Sequence, residues 1–284
     1  MKIVILGGTG LIGEALKENF ILNHEVECFG REAFISFDTL LDAVKNCSLV
    51  IQLSGANISK RWSSSYKKEI WSSRVDATKL LARVIHSLPY KPKIICASAV
   101  GFYPESDCEH PLNETDNSPG SDFLAKLSVA WEEAAKSISS DAIIFRFGVV
   151  LSRKGGALKQ MYLPYLLGFG GPIKGGNHCF SWVHMKDLIK AFEFILKRPD
   201  ASGIYNLTSP QPIQQKYFGK VLAKALKRPF LVPLFEWQLK LLFGKGSKVI
   251  TQSVSVIPKF LLDEGFVFDF PDIESALLDL IKNK

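Results

Sequence analysis

The sequence predicts an α/β protein, a doubly wound parallel sheet followed by a smaller, mostly helical C-terminal region. Three observations carry that expectation. A five-residue apolar run, Lys2–Leu6, leads straight into Gly7-Gly8-Thr9-Gly10-Leu11-Ile12-Gly13. Short β-branched runs then alternate with stretches of helical periodicity, the pattern of βαβ units. From Ser209 the texture changes: Pro210, Pro212, Pro229, Pro233 and Pro258 punctuate short amphipathic stretches, and no further strand–helix unit follows.

In chain order, Lys2–Leu6 reads as the first strand and Leu11–Phe20 as the first helix. Glu25–Phe29 is the second strand, and Leu49–Leu53, Lys93–Ala97 and Ala142–Phe147 are further strands, apolar enough to be buried on both faces. Between them the spacing predicts helices over about Lys67–Ser87 and Phe123–Ser137. A helix over Met185–Lys197 precedes one more strand, Gly203–Leu207, and a last helix over about Asp272–Ile281 keeps Ile273, Ala276, Leu277, Leu280 and Ile281 on one face. The expected division is a nucleotide-binding domain over 1–208, with a substrate-side loop over about 152–182, and a substrate-side region over 209–284.

Composition narrows the class. The chain has 284 residues, 47% hydrophobic and 22% charged, which excludes disorder, collagen and coiled coil and allows a real core. No apolar run approaches the ~20 residues that cross a bilayer, and glycines interrupt the apolar start, so neither a span nor a leader is expected. Five cysteines without a Cys-x-x-Cys pair predict no zinc site, no disulfide framework and a reducing cytoplasm. Between residues 212 and 250 stand eight cationic side chains against the single acid Glu236, equal to the whole net charge of +7. Lys216, Lys220, Lys224 and Lys227 would share one helix face. Such a basic stretch can attract nucleic acid or an anionic membrane, but its ordinary reading is a solvated face. No motif that reads RNA or DNA accompanies it, and neither nucleic acid nor a membrane is expected as a partner.

The glycine turn is the strongest functional signal. Strand, glycines and helix in that order mark a Rossmann-type dinucleotide fold. Gly7 permits the tight turn, Gly10 lets the backbone approach a pyrophosphate, and Gly13 lets helix and strand pack closely. The backbone around Thr9, Leu11 and Ile12 then presents free N–H groups to the anion. The second strand ends Cys28-Phe29-Gly30-Arg31, and Arg31 falls where an NAD enzyme carries an acid. A guanidinium suits a 2′-phosphate, so the expected cofactor is NADP(H). The competing reading leaves Arg31 on the surface and lets Glu32 supply the acid.

With these motifs, the chain resembles the short-chain dehydrogenase/reductase superfamily, in its atypical, NAD(P)-dependent epimerase branch (nucleoside-diphosphate-sugar epimerase-like). The resemblance runs nearly end to end through GGTGLIG (7–13), QLSGANISKRW (52–62), KKEIWSSRVDATKLL (67–81), ASAVGFYP (97–104), RFGVVLSRKGGAL (146–158), GFGGPIKGGNHCFSWVHMKDL (168–188) and PKFLLDEGF (258–266). It implies that Gly30 and Arg31 hold the adenosine phosphate end and that Leu53, Ser54 and Gly55 run along adenine and ribose. It further implies nucleotide contacts from Glu69 and Arg74, and a place beside the nicotinamide for Val149. Active members use a Tyr-x-x-x-Lys pair, in which the ammonium lowers the phenol pKa. None of the seven tyrosines here has lysine four residues on. By motif alignment Phe123 and Leu127 occupy the places of the pair, and Ala99 sits near that of the usual Ser. Tyr103 and Ser98, after the strand at 93–97, are the candidates for a relocated proton donor, with pocket lining as their other reading.

Trp182-Val183-His184 and Asp187 are expected to pack at a helix start rather than to react. The five glycines of Gly168–Gly176 suggest a loop that closes over substrate. Two functions follow: an NADP(H)-dependent oxidoreductase or epimerase on a small carbonyl or hydroxyl substrate, or an NADPH-binding protein that does no hydride chemistry and reports redox state to a protein partner.

Overall fold

The computed structural model describes residues 1–282. Its first half builds β1 (Lys2–Leu6), α1 (Leu11–Phe20), β2 (Glu25–Phe29), α2 (Phe37–Val44), β3 (Leu49–Gln52), α3 (Ser64–Trp71), α4 (Ala77–Ser87), β4 (Lys93–Ala99) and α5 (Phe123–Lys136). Then come β5 (Ile143–Phe147), β6 (Val149–Leu151), α6 (Gly156–Leu166), β7 (Cys179–Phe180), β8 (Trp182–His184), α7 (Met185–Leu196) and β9 (Gly203–Leu207). The remainder holds β10 (Ile213–Gln214), α8 (Gln215–Ala225), α9 (Glu236–Phe243), α10 (Lys248–Thr251), α11 (Lys259–Asp263) and α12 (Ile273–Lys282).

Six strands form one parallel sheet in the order β2-β1-β3-β4-β5-β9. β1 is flanked by β2 on one side and β3 on the other, in register Ile5↔Cys28 and Ile5↔Ile51. The chain therefore reverses its direction of travel beside β1. In doubly wound sheets such a switch leaves a crevice outside the strands' C-terminal ends. One face of the sheet packs Ile3, Ile5, Ile51 and Phe145 against Leu16, Phe20 and the Leu188–Phe192 side of α7. The other packs Val4, Leu6, Val50 and Ile144 against Leu40, Leu81, Ile85 and Ala135. Coverage of both faces is why these strands read as unbroken apolar runs rather than alternating ones.

The later part of the chain has its own core and also reaches back to the sheet. Phe218, Leu222, Ala276 and Leu277 of α8 and α12 pack with Leu151, Leu158 and Trp182. Leu261, Phe266 and Phe268 return to the first core, on the side of α7. No helix among the described residues is long and apolar enough to cross a membrane.

Several features depart from the sequence expectation; α6, for one, lies where a loop is expected, and β10 where no strand is. α2 is a helix where none is predicted above, although Phe37, Leu40, Leu41 and Val44 recur at helical spacing; Ser36 caps it by accepting from the Thr39 N–H at 3.1 Å. The single helix expected over 67–87 is α3 and α4 joined by a π-helical turn, Ser72–Asp76, whose looser winding shifts the side-chain phase within one continuous rod. The last is a correction: Cys108 and Cys179 form a disulfide, their Cα atoms 5.5 Å apart across 71 residues. Residues 253–257 run between the loop after β4 and β7. Ser106 N–H donates to the Ser253 carbonyl at 2.9 Å, and Cys179 N–H to Ser253 Oγ at 2.8 Å. The third segment that brings the two sulfurs together is remote in sequence from both, so local cysteine spacing holds no trace of the pair.

Alkylation of the denatured, unreduced protein should label only Cys28, Cys47 and Cys96; labelling at Cys108 as well would refute the bridge. Cys108→Ser should lower stability by about 2–4 kcal/mol in denaturant titration, the usual scale for closing so long a loop.

Candidate functional site

The crevice is built first from backbone. Gly7 and Gly8 N–H groups both donate to the Phe29 carbonyl, at 2.7 and 3.1 Å, which pins the end of β1 to that of β2. Gly7 has φ +84°, and a Cβ there would lie 2.8 Å from the Leu53 carbonyl carbon and the Ser54 nitrogen. At Gly13 a Cβ would lie 2.5 Å from the Gly7 oxygen and 2.6 Å from Gly8 Cα, so α1 rests directly on the turn. Gly10 differs. A Cβ there would meet only the Gly7 oxygen, at 3.3 Å, and no side chain caps the helix that Gly10 opens. The first-turn N–H groups of α1, around Leu11 and Ile12 and beside exposed Thr9, therefore have no side-chain acceptor, the arrangement in which a helix start can take an anion.

At the end of β2, Gly30 N–H donates to Glu32 Oε1 at 2.5 Å. That bond and the residue's own backbone N–H hold the Glu32 carboxyl below its usual range. Arg31 is 81% exposed and lies 3.3 Å from Glu69 Oε1 of α3. The ion pair spans the gap between the β2 end and α3, so two residues far apart in sequence meet where the resemblance implies the adenosine end.

Leu53 continues β3 by donating its N–H to the Leu6 carbonyl at 2.8 Å. Next to it, Ser54 Oγ is buried with no hydrogen-bond partner. Arg74 stands on the π-helical turn and donates to the Ile70 and Ala56 carbonyls at 3.3 and 3.1 Å. Its guanidinium lies 5.4 Å from the Trp131 ring centroid. A Cβ on Gly55 would fall 2.7 Å from its Cζ, so glycine at 55 admits the cation. Among the described residues no carboxylate forms a salt bridge with Arg74, and burial pulls its pKa down to about 10. A cation still protonated at neutral pH, set next to an orphan hydroxyl, is a donor set for a nucleotide's oxygens. Together with the uncapped α1 terminus, these residues fit a dinucleotide.

Ser98 and Tyr103 are not placed as free proton donors. Ser98 Oγ is buried and donates to Glu132 Oε1 at 2.7 Å. Glu132 also takes two bonds from Arg146, Nε to Oε1 and Nη2 to Oε2, both at 2.7 Å, and both residues are nearly inaccessible. The Arg146 guanidinium lies 3.5 Å from the centroid of the Phe102 ring and 4.8 Å from that of Tyr103. The Tyr103 hydroxyl is sealed, 3.0 Å from both the Asn113 carbonyl and Asn206 Oδ1. Burial pushes its pKa up to about 12, opposite to the shift that makes a phenol a usable acid near neutrality. Breaking one side of a buried pair such as Glu132–Arg146 costs about 3–5 kcal/mol, which makes this cluster a structural post under the crevice. Sequence reasoning missed it because its parts lie on β4, α5 and β5.

The register of α5 also bears on the missing pair. A Cβ on Gly101 would lie 3.4 Å from Leu124 Cβ and 4.0 Å from Ser128 Oγ, so Leu124 and Ser128 face the loop after β4. Phe123, expected at the tyrosine's place, packs edge-on against Trp62 at 5.5 Å under the Lys67 ammonium. Asp122 caps the helix by accepting from the Ala125 N–H. Neither 122/126, 123/127 nor 124/128 is a Tyr/Lys pair.

Val149 opens β6, half-buried, with its N–H on the Ser181 carbonyl at 2.8 Å and Trp182 as its partner in register. The glycine-rich segment beyond it does not stand free. Leu231 and Val232 N–H groups donate to the Gly170 carbonyl, Leu234 N–H to that of Pro172, and Lys174 N–H to that of Leu234. His184 and Asp187 are packed, as expected. His184 Nδ1 accepts from the Lys186 N–H, its ring stacks on Phe270 at 3.9 Å, and Asp187 accepts from the Asp269 and Phe270 N–H groups.

Comparison with known proteins matches this geometry to relatives. Residues 3–208 match the profile of the NAD dependent epimerase/dehydratase family, and 234–280 match a domain of unknown function, DUF1731. The chain is 34% identical over 298 residues to "Epimerase family protein SA0724" of Staphylococcus aureus (strain N315), covering 99% of each. It is 32% identical over 297 residues to "Epimerase family protein SH2119" of Staphylococcus haemolyticus, again covering 99% of each. Among solved structures, human epimerase family protein SDR39U1 (isoform 2), crystallised with NADPH, superposes with TM-score 0.91 at 32% identity over all of both chains. A nucleoside-diphosphate sugar epimerase from Corynebacterium glutamicum superposes with TM-score 0.80 at 25% identity, over all of this chain and 59% of that one.

Burial draws the His184 pKa down to about 4, so the folded state holds it neutral while the unfolded chain, near 6.5, takes up a proton. Its contribution is therefore whole above pH 6.5 and is lost as pH falls towards 4, by roughly 3 kcal/mol. Denaturant titrations at pH 7 and pH 4.5 should show a smaller acid loss in His184→Asn than in the parent. Equal losses would place the titrating group elsewhere.

Proposed function

We propose that this chain, which belongs to the NAD-dependent epimerase/dehydratase family, binds NADPH across the crevice at the ends of β1, β2 and β3. It works without a tyrosine–lysine proton relay. The observation that carries the reading is the uncapped α1 terminus at Gly10, with Arg31 at the end of β2 on its flank. The NADPH in the crystal of the similar human protein supports the same assignment.

In this reading the backbone from Gly7 to Gly13, through Thr9, Leu11 and Ile12, cradles the pyrophosphate. Arg31 exchanges the Glu69 carboxylate for the 2′-phosphate, a trade of one anion for a more highly charged one. Gly30 keeps the β2 end open for that approach, and Glu32 stays occupied with the Gly30 N–H. Leu53, Ser54 and Gly55 run along adenine and ribose. Ser54 Oγ gains the partner it lacks, and Arg74 adds a fixed positive charge beneath them. Val149 borders the nicotinamide. When bound, NADPH supplies a hydride at that ring.

What the chain does not offer there is a phenol poised to move a proton. Tyr103 and Ser98 hold the floor of the crevice through Asn206 and Glu132 and do not exchange protons with substrate. The first reading is therefore an NADPH-binding protein whose redox-dependent occupancy is read by a protein partner. A second is an oxidoreductase or epimerase on a small carbonyl or hydroxyl substrate with an acid other than tyrosine. It is favoured by one observation, the second core that residues 149–182 share with α8 and α12 beyond the sheet.

Nicotinamide fluorescence titration should show NADPH preferred over NADH by about ten- to a hundredfold, the scale of one charge-assisted contact. Arg31→Ala should remove the preference. Equal affinity for both nucleotides would refute the assignment of Arg31. NADPH oxidation with a panel of aldehydes and ketones separates the two readings. Turnover abolished by Tyr103→Phe, with the nucleotide still bound, would overturn the structural role of Tyr103.

A further inference from the structure

The basic stretch at 212–250 takes no part in the nucleotide reading, and it borders an unusual surface. Leu167 is 62% exposed, Phe169 60%, Leu231 76%, Phe235 54%, Trp237 65% and Leu241 67%. Single exposed apolar residues are ordinary; adjoining ones are not. Leu167 and Phe169 adjoin Leu231 through the bond from Leu231 N–H to the Gly170 carbonyl, and Leu234 is paired with Ile173. Phe235 then opens α9, on which Trp237 and Leu241 are one turn apart. The six side chains thus follow a continuous ribbon, residues 166–174 laid along 228–236 and extended by α9.

Its margin is cationic. Arg228 is exposed and tied to the ribbon by Nε, which donates to the Leu166 carbonyl at 2.6 Å. Lys216 stands against Gly176, and with Lys220 and Lys224 it lies on the exposed face of α8; Lys227, expected on the same face, falls past the helix end in a left-handed conformation and is exposed there. The only acid in 212–250, Glu236, is taken up by Lys240 at 2.9 Å and Lys174 at 3.9 Å. These two lysines hold its carboxyl below the usual range. The surface therefore offers apolar contact and positive charge together, and the one acid of 212–250 is paired; Glu274 of α12 also meets α8, where it accepts from the Tyr217 hydroxyl.

We propose that this ribbon docks the protein onto the surface of an anionic lipid bilayer. Tryptophan, phenylalanine and leucine rimmed by lysine and arginine are what peripheral segments place at the headgroup boundary. The aromatic rings enter the boundary while the cations meet the lipid phosphates. A second copy of this chain would bring two cationic margins face to face, so like charge opposes self-association through the ribbon. Docking needs no membrane span, and it revises the sequence expectation that a membrane is not a partner.

Co-sedimentation with phosphatidylcholine vesicles, with and without phosphatidylglycerol, tests the proposal. Partitioning should be at least about tenfold stronger onto the anionic vesicles and should fall as salt rises. The double variant Trp237→Ala/Leu241→Ala should weaken it by at least about tenfold, and Lys220→Glu/Lys224→Glu should abolish the preference for anionic lipid. Unchanged NADPH affinity in both variants checks that each is folded. No binding, equal binding to both vesicle types, or full binding by the Trp237/Leu241 variant would overturn the proposal. So would a concentration-dependent dimer that the same variant dissolves, which would assign the ribbon to a second copy.

Discussion

The contact on which the crevice depends is between backbone and backbone. Gly13 at the start of α1 lies against Gly7 and Gly8, closer than any side chain allows. That approach sets the helix directly behind the β1 turn and aims its uncapped end outward. Gly7 then sits against the Leu53–Ser54 peptide, so the β1 turn also fixes the loop after β3. The anion cradle, the orphan Ser54 hydroxyl and the cation of Arg74 follow from this packing. A methyl group at Gly7 or Gly13 would part the elements; the space before Gly10 is open because no structural element fills it.

Beneath the crevice the sheet carries charge in its interior. Glu132 and Arg146 form a two-bond pair with Ser98 as a third partner, and Phe102 covers the guanidinium. Such a pair contributes little net stability against an apolar replacement of the same volume, although losing one partner is severe. Here it ties β4, α5 and β5 together at the level where the tyrosine relay would stand. The hydroxyls nearest that level are thus engaged in holding position.

Much of this was legible in sequence, and the exceptions have physical causes. β1, α1, β2 and β9 fall on the residues expected because local signals agree there: apolar runs, glycine breaks and a helical stripe. The absence of a Tyr-x-x-x-Lys pair could also be read, since it is a statement about spacing. The π-helical turn leaves one slight trace, a five-residue step from buried Ile70 to buried Val75, within a rod whose apolar stripe otherwise keeps helical spacing. The disulfide and the Glu132–Arg146 pair join elements distant in the chain. The sealing of Tyr103 depends on Asn206, 103 residues away. The exposed ribbon escaped notice because leucines and a tryptophan in a basic amphipathic stretch read as core until their burial is known.

Gly10→Ala tests the central claim most directly. Gly10 has ordinary extended backbone angles, φ −86° and ψ 167°, and a methyl there meets only one atom of the protein. If the turn is a pyrophosphate cradle, the variant should melt within about 2 °C of the parent while calorimetry shows NADPH bound at least about tenfold more weakly. Unchanged NADPH affinity in a protein of unchanged stability would mean that the turn only connects strand to helix, and would contradict the account.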